Sequence, residues 1–240
     1  MATFVLVPGA WLGSWVWRKI TPALEKKGNS VYPVTLTGMG DRVHLARKEY
    51  GLETAVADVV NLITFEDLHD VILVGHSFAG KVISAVYDRI PERIQRLFFL
   101  DAFIPGKIRT PQGGKESESQ EYVKQMIEES ERNGDGWKYP MTQAVISEIA
   151  HDVTGDDREW FLSKITPWPL KLAFDSITVS EKVDNAKKSY VFCMKEGENL
   201  SDKDRKYLDQ LDGKYRIIQS GHYPMITKPD EAVDALVNLT

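Results

Sequence analysis

Residues 71–80 read Val-Ile-Leu-Val-Gly-His-Ser-Phe-Ala-Gly, and this stretch decides the fold. The first four residues are apolar and three of them are β-branched, which predicts a buried β-strand. Gly75 permits a sharp turn, Ser77 lies at that turn, and an apolar helical face follows over residues 78–89. A strand, a tight turn with a serine and then a helix predict a nucleophile elbow, although Ala79 replaces the usual fifth-position glycine. The alternative is that Ser77 only caps an ordinary buried helix.

The composition is that of an ordinary globular protein. The 240 residues are 42% hydrophobic and 27% charged, and 30 basic against 35 acidic residues give a formal charge of −5. No basic run predicts a nucleic-acid partner, and no apolar segment reaches the length of a membrane span. No signal peptide is recognisable before the first strand, so we expect a cytoplasmic protein. Cys193 is the one cysteine and lies in an apolar run, so we expect a buried thiol.

Strand-like and helix-like segments alternate along the chain, which predicts an α/β protein with a mostly parallel sheet. We count about six strands, and their continuous apolar runs are typical of strands covered on both faces. The strands are predicted at residues 4–7, 31–36, 71–74, 96–100, 190–194 and 215–218, and the helices at residues 14–27, 52–65, 78–89 and 229–239. Pro33 indicates that the second strand is an edge strand or contains a bulge.

The interval 107–185, which follows the fourth strand, interrupts this alternation. It is polar at first and then helical in short pieces, and it contains three tryptophans, among them Trp168, but no convincing core strand. An insertion after the carboxyl end of a parallel strand lies over the ligand crevice. We therefore expect a helical lid over 107–185 and a core formed by residues 1–106 and 186–240. The alternative is a small helical subdomain that does not contact the site.

A serine nucleophile requires a base that takes its proton and an acid that orients the base. In sheets of this type the acid, and then the histidine, follow the serine along the chain. His222 follows the last predicted strand on a loop with Gly221, so we expect it at the same edge of the sheet as Ser77. The other four histidines precede or neighbour Ser77, or fall in the predicted lid.

The acid is expected directly after the penultimate strand. Glu196 is the first carboxylate after that strand and is followed by a glycine turn, so we expect Glu196 to orient His222. Two other carboxylates remain open. Glu198 lies two residues further on, and Asp101 ends its own strand at the same edge of the sheet.

An acyl-transfer site also needs hydrogen-bond donors for the developing oxyanion. We expect the backbone N–H of Phe78 to be one of them, and an N–H from the loop Pro8-Gly9-Ala10-Trp11 to be the other. No metal-ligand cluster and no phosphate-binding loop is apparent, and Gly38-Met39-Gly40 lacks the spacing of a dinucleotide site. We therefore expect neither a metal nor a cofactor.

Five segments of the chain resemble the α/β-hydrolases, in particular the small esterases related to plant methyl esterases and hydroxynitrile lyases. They are residues 4–11 (FVLVPGAW), 36–42 (LTGMGDR), 71–80 (VILVGHSFAG), 99–105 (FLDAFIP) and 220–222 (SGH). The resemblance implies an α/β-hydrolase fold, a triad of Ser77, Glu196 and His222, and hydrolysis of small, largely apolar esters without a cofactor. It also implies that the backbone N–H groups of Ala10 and Phe78 form the oxyanion hole.

Three features depart from that family's pattern. Pro8-Gly9 stands where the family usually has His-Gly, Ala79 stands where it has glycine, and Glu196 stands where it has aspartate. The lyases of the family have threonine at the position of Gly9 and lysine directly after the histidine, where this chain has Tyr223. These differences favour hydrolysis over cyanohydrin cleavage.

The sequence therefore predicts a serine carboxylesterase that acts on a small-molecule ester through an acyl-enzyme. The substrate pocket is expected to be lined by Trp11, His76, Phe103 and Trp168. The lid is expected to set selectivity more than reactivity, because the reacting groups all lie outside it. The alternatives are lactone or C–C bond hydrolysis or a lyase reaction on the same triad, or a receptor-like protein with slow turnover. We expect a monomer or homodimer without a nucleic-acid or membrane partner.

Overall fold

Eight strands and eleven α-helices occur in the part of the chain that the computed structural model describes, residues 1–105, 120–195, 197–198, 200–209 and 214–240. The strands are β1 (Thr3–Val7), β2 (Ser30–Pro33), β3 (Val71–His76), β4 (Ile94–Leu100), β5 (Lys138–Tyr139), β6 (Trp168–Pro169), β7 (Lys188–Met194) and β8 (Tyr215–Gln219). The helices are α1 (Ile20–Lys26), α2 (Leu52–Phe65), α3 (Ala79–Arg89), α4 (Gln120–Asn133), α5 (Gln143–Ile149), α6 (Gly155–Leu162), α7 (Leu170–Phe174), α8 (Glu181–Asn185), α9 (Asp202–Leu208), α10 (Pro224–Thr227) and α11 (Pro229–Asn238).

Six of the strands form one parallel sheet in the order β2-β1-β3-β4-β7-β8, which confirms the predicted α/β fold. Every residue of β3 and of β7 is buried, as expected for strands covered on both faces. The strand order reverses between β1 and β3, because β2 lies on one side of β1 and β3 on the other. In open parallel sheets such a reversal leaves a ligand crevice at the carboxyl ends of the strands.

The element boundaries follow the sequence pattern with two differences. The helix α2 spans Leu52–Phe65, as predicted. The strand predicted over residues 31–36 is β2, which spans Ser30–Pro33 and is one of the two edge strands of the sheet. An edge strand tolerates a proline, which has no N–H to continue a ladder. The helix predicted over residues 14–27 is divided into a 3₁₀ turn, Ser14–Trp17, and α1, which begins at Ile20.

The helices pack around the sheet and against one another. The helices α1 and α11 are in contact, and so are α2 and α3. The longest helices, α2 and α4, each have 14 residues.

Within the described ranges, no helix combines the length and the apolar character needed to cross a membrane. The side chain of Cys193 is fully buried in β7, as predicted, and burial raises the pKa of its thiol well above the usual value.

The described part of the predicted lid, residues 120–185, contains helices α4 to α8. Its two short strands, β5 and β6, pair with each other in antiparallel fashion and do not join the central sheet. Thr166 connects this segment to the core, since its N–H donates to the Trp11 carbonyl (3.0 Å) and its Oγ1 accepts from the Gly40 N–H (2.8 Å). These contacts argue against a detached subdomain. Residues 107–119 of the predicted lid lie outside the described residues.

Candidate active site

Ser77 lies in a strained turn between β3 and α3. Its φ of 59° falls in the left-handed region, which residues other than glycine rarely adopt. Three backbone hydrogen bonds hold the turn. The Ser77 N–H donates to the Leu100 carbonyl (3.3 Å), and the Ser77 carbonyl accepts from the N–H groups of Gly80 (3.2 Å) and Phe103 (3.0 Å). The structure thus has the strand, turn and helix geometry of a nucleophile elbow.

Gly80 takes over the packing role of the usual fifth-position glycine of the elbow. A Cβ on Gly80 would lie 1.8 Å from the carbonyl oxygen of Phe103, a distance that no side chain tolerates. Ala79, at the fifth position itself, is fully buried without disturbing the turn. The departure from the Gly-x-Ser-x-Gly pattern is therefore accommodated, because the closest backbone approach lies one residue further along the helix.

His222 lies within hydrogen-bond distance of both Ser77 and Asp101. Its Nε2 is 2.8 Å from the Oγ of Ser77, and its Nδ1 is 2.5 Å from the Oδ2 of Asp101. When Nδ1–H donates to the carboxylate, Nε2 presents a lone pair to the serine hydroxyl. This is the arrangement that a general base for a serine nucleophile requires. The structure therefore brings together the two residues, Ser77 and His222, that the sequence paired.

The carboxylate of Asp101 occupies the position beside His222 that the acid of a triad requires. Asp101 directly follows β4, and its positive φ of 44° changes the direction of the backbone at the end of the strand. Its carboxylate is fully buried, and its Oδ1 also accepts from the N–H of Cys193 (3.1 Å) in the next strand. His222 has one Nδ1–H and Asp101 accepts it, so the structure favours Asp101, the alternative that the sequence left open. The expectation that Glu196 orients His222 stays a prediction. Glu196 itself lies outside the described residues.

The sequence contains one feature that favours Asp101 as the acid. Asp101 follows the apolar run 97–100 directly, with no turn residue between, which places a carboxylate at the end of a fully buried strand. A buried carboxylate requires partners, and at a sheet edge these are often functional. Glu198, the third carboxylate considered, is exposed and accepts a hydrogen bond from the N–H of Lys195 (2.9 Å).

His76 supports the backbone of His222 from the core. Its side chain is 1% exposed, and its Nε2 lies 2.8 Å from the carbonyl oxygen of His222. Burial, and secondarily the neighbouring His222, lower the pKa of His76 well below its usual value, so the ring is neutral and donates from Nε2–H. The expectation that His76 lines the substrate pocket is corrected, because a ring with so little exposure offers no surface to a substrate.

Two backbone N–H groups flank the nucleophile. The loop of Ala10 touches the elbow, since a Cβ on Gly9 would lie 2.8 Å from the Cβ of Ser77. The N–H of Phe78 lies at the N-terminal end of α3, where the helix dipole is positive. Neither N–H donates a hydrogen bond to any described residue. Both N–H groups are therefore free to donate a hydrogen bond, as the donors of an oxyanion hole must be.

Aromatic side chains surround these donors. The ring centroid of Trp168 is 5.0 Å from that of Phe78 and 5.6 Å from that of Trp11. The indole N–H of Trp11 donates to the carbonyl of Tyr139 (3.0 Å), which ties the loop after β1 to the β5–β6 pair. Of the predicted pocket residues, Trp11 and Trp168 are thus in contact beside the nucleophile. Phe103 lies next to the elbow through its backbone hydrogen bond to Ser77.

Ser77, His222 and Asp101 thus form one continuous hydrogen-bonded chain, the arrangement that acyl transfer by a serine nucleophile requires. Within the described residues, no group of three or more His, Cys, Asp or Glu side chains is placed to hold a metal ion.

Comparison with known proteins finds a matching family model and related sequences. The model of a family described as the alpha/beta hydrolase family matches residues 4–235. A carbendazim hydrolyzing esterase from Nocardioides sp. (strain SG-4G) is 51% identical over 105 residues, so the match covers only 44% of this chain and 43% of that relative. Polyneuridine aldehyde esterase from Rauvolfia serpentina is 24% identical over 257 residues, covering 99% of this chain and 95% of the relative.

The likeness of fold extends over the whole chain. A solved structure of an extracellular alpha/beta-hydrolase from a Paenibacillus species superposes with a TM-score of 0.80 at 24% identity, covering 100% of this chain and 99% of the other. At this level of identity the similarity concerns the fold alone.

Proposed function

Because this chain belongs to the alpha/beta hydrolase family, we propose that it is a serine hydrolase of the carboxylesterase type. Its substrates are small, largely apolar carboxylic esters, and the reaction passes through an acyl-enzyme. The observation that carries this proposal is the continuous hydrogen-bonded chain from Ser77 through His222 to Asp101. The esterase names of two relatives agree with it.

Acylation begins when His222 takes the proton of the Ser77 hydroxyl and Oγ attacks the ester carbonyl carbon. The new C–O bond places a negative charge on the former carbonyl oxygen, and the N–H groups of Ala10 and Phe78 stabilise this charge. Asp101 stabilises the imidazolium of His222 and keeps the ring in the productive orientation. The tetrahedral intermediate collapses when the bond to the alcohol breaks, and His222 gives its proton to the leaving alcohol.

Deacylation repeats these steps with water as the nucleophile. His222 removes a proton from water, the hydroxide attacks the acyl carbon, and the same two N–H groups hold the second oxyanion. The bond to Oγ then breaks, and the proton on His222 returns to Ser77. The net reaction converts one ester and one water into a carboxylic acid and an alcohol, with no external oxidant, reductant or metal.

The apolar character of the proposed substrate comes from the side chains around the donors. Trp11, Phe78 and Trp168 form an aromatic cluster beside the nucleophile, and β5 and β6 support it from the lid. An aromatic cluster of this kind binds apolar acyl or alcohol groups by surface burial rather than by charge.

We propose residues 107–185 as the lid and residues 1–106 and 186–240 as the core. The cytoplasmic location and the monomeric or dimeric state stay predictions.

A hydrolysis screen with purified protein tests the proposal. The panel contains methyl, aryl and long-chain esters. It also contains carbendazim, because the name of one relative is carbendazim hydrolyzing esterase. The wild type should turn over several esters with excess substrate, whereas Ser77→Ala should lose roughly 10³-fold or more of the rate. Ser84→Ala is the matched control, since the Ser84 hydroxyl bonds the Gly80 carbonyl within α3 (2.7 Å) and does not face the site. A single burst without turnover would instead support the receptor-like alternative.

A further inference from the structure

The loop that carries His222 is held from the lid as well as from the core. The N–H of His222 donates to the carbonyl of Ile149 (3.0 Å), at the end of α5. The N–H of Gly221 donates to Oδ2 of Asp152 (2.7 Å). Ile149 and Asp152 belong to the inserted segment and lie about 70 residues before the loop in sequence, since Asp152 and Gly221 are separated by 69 residues. The base therefore depends on the lid for part of its support.

Asp152 makes the more specific of these contacts. Its Oδ2 also accepts a hydrogen bond from the hydroxyl of Thr227 (2.9 Å), so one carboxylate oxygen joins both ends of the segment 221–227. Its Oδ1 is buried and has no hydrogen-bond partner among the described residues. A buried carboxylate oxygen without a partner destabilises the fold. The buried carboxylate of Asp152 at this contact therefore indicates a role other than stabilising the fold.

Gly221 allows this approach. A Cβ at position 221 would lie 2.1 Å from Oδ1 of Asp152, so any other residue would push the carboxylate away from the loop. The glycine and the aspartate are therefore matched to each other across the lid and the core. No local pattern in the sequence reveals this pairing, because neither residue belongs to a strand of the sheet.

We propose that Asp152 is a positioning residue for His222. By holding the N–H of Gly221 and the hydroxyl of Thr227, its carboxylate fixes the loop so that Nε2 of His222 stays 2.8 Å from Oγ of Ser77. A displacement of about 1 Å between reacting groups costs roughly 10²-fold in rate. The lid thus controls reactivity as well as selectivity, contrary to the expectation from the sequence. This inference rests on the proposed serine hydrolase function.

The test compares four variants with the wild type in ester turnover. Asp152→Ala and Gly221→Ala break the same contact from opposite sides, and each should lower kcat about 10- to 100-fold with little change in KM. Asp152→Asn retains an acceptor oxygen and should recover kcat to within about threefold of the wild type. Thr227→Val removes one of the two contacts of Asp152 Oδ2 and should lower kcat less than Asp152→Ala does. All rates are measured at a temperature well below the thermal unfolding midpoint of each variant.

Two further readouts distinguish positioning from a purely structural role and do not depend on the ester chosen. The rate at which a fluorophosphonate labels Ser77 should fall in parallel with kcat in Asp152→Ala. The low-field proton NMR signal of the Nδ1–H of His222 should broaden or move in Asp152→Ala and return in Asp152→Asn.

Several outcomes would overturn the proposal. One is an Asp152→Ala protein that is less stable but keeps the wild-type kcat and labelling rate. Another is failure of both Asp152→Ala and the similarly branched Asp152→Leu to fold, which would make the residue purely structural. If the wild type itself neither hydrolyses any ester nor reacts with the fluorophosphonate, it is the proposed function that fails.

Discussion

The Nδ1 atom of His222 lies 2.5 Å from the Oδ2 of Asp101, which directly follows the strand next to that of the nucleophile. The carboxylate is anchored on its other side by the N–H of Cys193 (3.1 Å), in β7. Both oxygens are therefore satisfied inside the protein, and the imidazole has one defined orientation. This relationship assigns the acid of the proposed triad to the end of β4.

The acid assignment predicts a clear ranking of two amide variants. Asp101→Asn should lower kcat by roughly 10²–10⁴-fold, because the amide favours the wrong tautomer of His222. Glu196→Gln should stay within about threefold of the wild type, since no role in orienting the base is assigned to it. Steady-state kinetics on one ester measures both. The opposite ranking would return the acid to Glu196.

Gly9 should be intolerant of a side chain because of its contact with the elbow. The added Cβ of Gly9→Ala would lie 2.8 Å from the Cβ of Ser77 and 2.7 Å from Nδ1 of His76, so the oxyanion loop must move away from the nucleophile. We expect kcat/KM to fall by about 10-fold or more, the scale of weakening an oxyanion donor.

The matched control for this variant is Gly28→Ala. Gly28 also stands in a turn, with a φ of 83° and nothing within 4 Å of an added Cβ. This change should lower stability by about 1 kcal/mol through backbone strain and leave kcat/KM unchanged. Equal kinetic effects of the two substitutions would remove the argument that Gly9 brings the loop to the elbow.

Trp168 should determine which esters are preferred. Replacing it with alanine removes the ring that contacts both Phe78 and Trp11, and we expect relative rates across an ester panel to change by roughly 10- to 100-fold. Trp160→Ala is the control, because Trp160 packs against Trp15 and under Arg18 instead. An unchanged substrate profile in Trp168→Ala would show that this ring only fills the interior.

His76 should make the stability of the fold depend on pH. Burial lowers the pKa of His76 in the folded state, whereas in the unfolded chain the imidazole has a pKa of about 6.5. As the pH falls below about 6.5, the unfolded state binds a proton that the folded state does not bind. The free energy of unfolding therefore decreases by up to about 1.4 kcal/mol per pH unit. Above that pH the contribution is fully present.

Urea unfolding at pH 5, 6 and 7 measures this contribution. The His76→Gln variant retains an N–H donor near the position of Nε2 but cannot titrate, so its stability should fall less steeply with acid than that of the wild type. Because every other titratable group is common to both proteins, the difference isolates His76. Parallel curves would mean that His76 is not held neutral by the fold.

The fold could be predicted from the sequence because its signals are local and agree with one another. Continuous apolar runs of one strand length indicated buried parallel strands, and Pro33 indicated the edge. Ser77 and His222 were predicted for the same reason, since the elbow is a local pattern and the order of the triad along the chain limits the histidine.

The remainder of the site depends on contacts that a single sequence does not encode locally. Whether Asp101 or Glu196 reaches His222 depends on how β4 and β7 are aligned and on the positive φ at Asp101, and neither is visible in residue patterns. The contact of Asp152 with Gly221 joins residues 69 positions apart. Such contacts follow from the packing of the folded chain.

Trapping of the acyl-enzyme tests the central claim most directly. The protein is mixed with a p-nitrophenyl ester, quenched in acid within the first turnover, and examined by intact-mass and peptide mass spectrometry. We predict one acyl group per chain, located on Ser77, which forms in Asp101→Asn at a rate lower by roughly 10²-fold or more and is absent in Ser77→Ala. Ester turnover with no acyl group on Ser77, or with the label on another residue, would contradict the account.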